Sequence, residues 1–230
     1  MNRIDRMSRV SNAASAATRA ARMSTWAYFG CLVRHPRRTW ADLLADPARL
    51  RYGFAAVVVV GVGYAITVAG IALSDGLPST PWLTIPRSHY FTWEAFFIAP
   101  VTVLCWILAA GVAHLLCKLL HGSGTFDDTL ALLGYAVAVP TLITLIPDAV
   151  HAVFTAMGWL SRAAWEQAVS EPGTPDFLFL WIDMLAYAAG LLWFFPLAVA
   201  TAQRLHGWRA VVAGVAGALV YQGVYVIFIR

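Results

Sequence analysis

The chain has 230 residues, of which 60% are hydrophobic and 12% charged, and a formal net charge of +4. A soluble domain carries about 25% charged residues spread over its surface, yet ten of the sixteen basic residues here fall within the first 51 positions. Beyond Arg51 there is too little charge to cover a water-facing surface, which excludes a soluble globule and makes lipid the solvent.

In chain order, residues 1–33 read as a basic tail rich in Arg, Ser and Ala, disordered or lying at the interface. Its charge is a membrane-orientation signal, and no nucleic-acid partner is expected. Next comes RHPRRTWADLLADPARL, where Thr39 and Asp42 have the spacing of a capping box. Trp40, Leu43 and Leu44 form an apolar face between Pro36 and Pro47, as in an interfacial helix.

Residues 34–230 then hold five stretches long and apolar enough to cross a bilayer: Gly53–Leu73, Trp93–Cys117, Thr129–Met157, Leu178–Gln203 and Arg209–Ile229. Backbone groups in hydrocarbon must be satisfied within their own segment, so each is expected to be a helix. The expected fold is all-α, a polytopic bundle of five transmembrane helices. The third span carries Pro140 and Pro147 and is expected to tilt or kink. Between the third and fourth spans, Leu160, Ala164, Trp165, Ala168 and Val169 share one helical face, with Arg162 and Glu166 opposite.

With the N-terminus in the cytoplasm, thirteen Lys and Arg residues lie inside and only Arg87, Arg162 and Arg230 outside. The positive-inside rule therefore puts the N-terminus in the cytoplasm and the C-terminus across the membrane. Aromatic belts agree, with Trp82, Trp93, Trp159, Trp165 and Trp181 near the outer ends and Trp40 and Trp208 near the inner ones.

Motifs of soluble enzymes fail. GSGT at 122–125 has no following Lys-Ser/Thr and no preceding strand, so it is no phosphate loop. His114 and Cys117 share a helical face without further ligands, and Cys31, Cys105 and Cys117 read as small buried hydrophobes. No metal, cofactor or catalytic residue is expected.

Ionisable groups inside spans are costly and point to function by default. Asp148 and His151 lie one turn apart on the third span, Asp183 enters the fourth from the same side, and Glu94 opens the second. The four are expected at one depth in the outer leaflet, either as a proton or cation site or as wet and hydrogen-bonded structural groups. Small residues form two ridges at four-residue intervals, Gly61, Ala65 and Ala69 on the first span and Ala210, Gly214 and Ala218 on the fifth. Such ridges let helix backbones approach closely.

The stretch HLLCKLLHGSGTFDDTLALLGYAVAVP resembles the signature of the Yip family, the Ypt/Rab-interacting membrane proteins and their bacterial relatives. The resemblance rests on Gly122 and Gly124 in a turn, then Phe126, Leu132-Leu133-Gly134-Tyr135 and Pro140, with Pro36, Trp40 and Pro47 upstream, and it extends over roughly residues 34–228. It implies five spans with a cytoplasmic N-terminus, no catalytic residue, and an adaptor role. Composition and short loops lead us to expect a multi-pass protein of a bacterial inner membrane. The short tail departs from the longer polar N-terminal regions of many eukaryotic members, and no GTPase partner is expected of a bacterial relative.

The expected function is therefore a non-enzymatic scaffold that associates with other membrane proteins or with itself. The alternative is a small transporter using the outer acidic cluster. The motif residues Gly122, Gly124, Phe126, Gly134, Tyr135 and Pro140 are expected to be structural, with positive φ at the two turn glycines.

Overall fold

The computed structural model describes residues 23–73, 83–161, 164, 167, 168 and 170–229. Most of the basic tail lies outside the described residues, as do Trp82, Arg162, Trp165, Glu166, Val169 and Arg230 of the sequence reading. The fold is all-helical among the described residues. Two short helices, α1 (Thr25–Arg34) and α2 (Pro36–Ala45), precede α3 (Arg49–Leu73), α4 (Tyr90–Leu119), α5 (Phe126–Ala156), α6 (Pro175–Gln203) and α7 (Trp208–Phe228). The five long helices are apolar and long enough to cross a membrane. They contain the five expected spans to within a few residues, which is the usual uncertainty of helix ends.

The helices run around the bundle in the order α3, α4, α7, α6, α5, and α5 closes back on α3. Helix α5 is the central one: most of its apolar length is buried, whereas little of α6 is. Apolar contact alone drives little helix association in lipid, so close backbone approach and polar ties matter. Both are present. Gly61 faces Ala99 across α3 and α4, Gly190 faces the ring of Pro140, and Gly214 faces Pro196. Trp106 Nε1 donates to the Leu130 carbonyl at 2.9 Å, tying α4 to α5. Tyr90 Oη donates to the Phe228 carbonyl at 3.1 Å, tying the start of α4 to the end of α7. Several threonines within the spans return their hydroxyls to their own helix, as Thr102 does to Ile98 and Thr141 to Val137, which satisfies those donors without water.

Helices α1 and α2 pack against one end of this bundle. Tyr28, Leu32, Trp40 and Leu43 are fully buried, so the tail read from the sequence ends in a folded helix. Tyr28 Oη donates to Asp46 Oδ2 at 3.0 Å, while Asp46 Oδ1 accepts from the Ala48 N–H at 2.8 Å. Burial, with the Asp46 carboxylate next to it, pushes the Tyr28 phenol well above its ordinary pKa. The capping expectation at Thr39 is corrected. Pro36 takes the first helical position, where its missing N–H costs nothing, so α2 starts four residues earlier. Thr39 then sits inside the helix and donates to the His35 carbonyl at 2.9 Å.

Helix α5 is continuous through Pro140 and Pro147. Of the two small-residue ridges, Gly61, Ala210, Gly214 and Ala218 are buried at helix crossings and Ala65 and Ala69 are partly buried.

Candidate functional site

The turn between α4 and α5 is built by capping and by a clamp from α6. Thr125 caps α5: its Oγ1 accepts from the Asp128 N–H at 3.1 Å, and Asp128 Oδ2 accepts from the Thr125 N–H at 3.2 Å. The other Asp128 oxygen accepts from Arg49 Nε at 2.8 Å, a charge-assisted bond that holds the start of α3 to the start of α5. Lys118 at the end of α4 donates to the Gly124 carbonyl at 2.7 Å.

Gln203, the last residue of α6, reaches into the turn and is fully buried. Its Nε2 donates to the Thr125 carbonyl at 3.0 Å and to Thr129 Oγ1 at 2.6 Å, and lies 2.9 Å from His114 Nδ1. Its backbone carbonyl accepts from the Ser123 N–H at 3.1 Å. An amide –NH2 only donates, so His114 Nδ1 faces it with its lone pair, and two hydrogens are shared among three acceptors. One residue thus ties α4, the turn, α5 and α6 together.

The positive-φ expectation for the turn glycines is corrected. The left-handed residue is His121, at φ 68°, and neither Gly122 nor Gly124 has a positive φ. The glycines serve close approach instead. A Cβ on Gly124 would overlap the Ala202 carbonyl, and one on Gly122 would lie 3.0 Å from Gln203 Oε1.

Every motif residue singled out in the sequence lies at a junction between elements. Phe126 packs edge-on against His114 with ring centroids 5.6 Å apart. A Cβ on Gly134 would overlap the backbone of Gly53, where α3 and α5 cross. Tyr135 donates to the Thr25 carbonyl at 3.2 Å and meets Phe29 edge-on at 5.0 Å, docking α1. Pro140 packs against Gly190 of α6.

At the opposite end of the bundle, a cavity of about 480 Å³ is lined by Asp148 and His151 of α5 and by Asp176 and Asp183 of α6. Leu160 and Ala164 of the intervening segment also line it. Three of the four ionisable groups read from the sequence are therefore brought together, joined by Asp176 from the first turn of α6. Glu94 is not among them. It is buried on α4, within coulombic range of Tyr225 on α7. Asp148 and Asp183 line the same cavity, so it can take a cation. No group of three or more His, Cys, Asp and Glu suited to a metal ion occurs among the described residues.

The sequence reading missed Gln203, Arg49 and Asp128 as partners in the turn. An amide at the last turn of a span reads as wetted interface, and only the fold of α6 back onto the turn buries it.

The chain carrying this turn and the five spans matches a known protein family. The Yip1 domain model matches residues 29–229, from within α1 to just past the end of α7. Comparisons with curated proteins and with solved structures find no match. A match over nearly all of the chain, on a bundle whose long helices can each cross a membrane, makes this chain a multi-pass membrane protein of the Yip1 domain family.

Proposed function

We propose that this protein is a non-enzymatic adaptor of a bacterial inner membrane, with its N-terminus and basic end in the cytoplasm and its C-terminus across the membrane. It binds other membrane proteins through the outer half of α6. The observation that carries this reading is the broad exposed apolar face of that half-helix. Its buried residues are Leu191, Phe195, Ala198, Val199, Ala202 and Gln203, all in the half nearer the glycine turn. Before them, Phe179, Trp181, Ile182, Met184 and Leu185 are all exposed. At 100° per residue these side chains cover more than half the circumference. The opposite stripe, Leu180, Asp183, Tyr187 and Gly190, is partly buried on the bundle, with Tyr187 Oη donating to Gln222 Oε1 at 3.0 Å, and the exposed apolar face is suited to a second transmembrane helix.

The cavity of Asp148, His151, Asp176 and Asp183 favours a second reading, a small transporter that binds a cation or proton there. The two readings separate on Asp148→Asn and Asp183→Asn. Asparagine keeps an acceptor and removes the cost of an ionised carboxylate in a low-dielectric site. An adaptor should keep its membrane abundance and its co-purifying partners in both variants. Loss of a cation- or pH-dependent phenotype in both, at normal abundance, would instead support the transporter.

A further inference from the structure

A groove of about 720 Å³ opens between α6 and α7 at the basic end of the bundle, away from the acidic cavity and the exposed apolar face of α6. Trp193, Pro196, Ala200 and Ala210 give it an apolar length, and Arg37 of α2 with His206 of the α6–α7 turn give it a polar end. Along α6 the lining extends from Leu192 to Thr201, which is about 14 Å at the helical rise, and it continues into the α6–α7 turn at Leu205 and His206. One leaflet of hydrocarbon is about 15 Å deep, so the groove has the length of an acyl chain with its head group.

The charge at the polar end is uncompensated. Arg38 pairs with Asp42 and Arg49 with Asp128, but Arg37 has no ion pair among the described residues. No acidic residue occurs among the described lining residues. Helix α7 begins beside the same end, at Trp208, and Gly207 gives its first N–H groups no side-chain cap. A guanidinium, an imidazole and a helix N-terminus facing one space favour an anion. A transmembrane helix from a second copy would fill the apolar length and leave that charge unanswered.

We propose that this groove holds an anionic phospholipid, with its phosphate at Arg37 and the start of α7 and one acyl chain along α6. The proposal is independent of the adaptor reading.

The full chain, purified in mild detergent, can be titrated with phosphatidylglycerol or with phosphatidylcholine of the same acyl chains and read by native mass spectrometry. The wild type should take up phosphatidylglycerol preferentially. Arg37→Gln should lose that preference by about fivefold, the contribution of one basic side chain to anionic lipid attraction. Val211→Trp, at an exposed lining position, should reduce uptake of both lipids. Unchanged thermal melting of Arg37→Gln would show that its loss of preference does not come from unfolding. Equal uptake of the two lipids by the wild type, or undiminished phosphatidylglycerol uptake by Arg37→Gln, would overturn the proposal. So would a dimer that Val211→Trp dissociates without any change in bound lipid, because the occupant would then be a second copy.

Discussion

Gly134→Val is expected to remove most of the assembled protein from the membrane. A Cβ at Gly134 would overlap the backbone of Gly53, and a Cβ at Gly53 would overlap the backbone of Ala131. The obstacle on each side is main chain, which cannot rotate away as a side chain can. Overpacking costs typically 1–3 kcal/mol when side chains can yield, and this crossing between α3 and α5 is expected at or above the upper end. A loss of about 3 kcal/mol changes a folding equilibrium by more than a hundredfold. Monodisperse protein, measured by fluorescence size exclusion of a tagged full chain, should fall to a small fraction of wild type. Gly111→Ala is the matched control, because nothing lies within 4 Å of its Cβ position. That variant should assemble normally. Wild-type yield from Gly134→Val would mean that α3 and α5 do not touch through their backbones.

Gln203→Leu should have the next largest effect. The substitution removes the two bonds from Nε2 to the Thr125 carbonyl and Thr129 Oγ1, and the contact with His114. Leaving such buried groups without their partner costs about 1–3 kcal/mol. At about 2–4 °C per kcal/mol for a domain of this size, the melting temperature in detergent should drop by several degrees. Gln203→Glu should not rescue it, because a carboxylate cannot donate to the Thr125 carbonyl. An unchanged melting temperature for Gln203→Leu would mean that the clamp between α6 and the turn contributes nothing to the fold.

The two variants also mark the boundary of what could be read in the chain. The five spans were legible because length and hydropathy in lipid leave the backbone no conformation but helix. Gly134 was legible as part of a motif, but its partner Gly53, which opened the first span in that reading, carried no signal of its own. The end of α6 folds back onto a turn some eighty residues earlier, and that long-range placement is what buries Gln203, while neither turn glycine takes the positive φ expected of it. His121 takes the left-handed conformation instead.

The acidic cluster was legible in part for a similar reason. One helical turn brings Asp148 and His151 to a shared face, and depth brings Asp183 level with them. Depth does not say around which side of the bundle a residue faces. Glu94 shares the level, yet α4 meets α7 there and buries the carboxylate in a different neighbourhood. Asp176 was overlooked because it precedes the apolar stretch, although α6 begins at Pro175 with Thr174 as its cap.

The adaptor reading stands or falls on what touches the outer half of α6 in the cell. A photoreactive residue can replace Ile182 on α6 or, as a reference, Ile66 on α3, which are 65% and 69% exposed. After irradiation of intact cells producing the full chain, position 182 should yield discrete adducts with another membrane protein, while position 66 should yield lipid adducts alone. Lipid adducts alone at both positions would contradict the account.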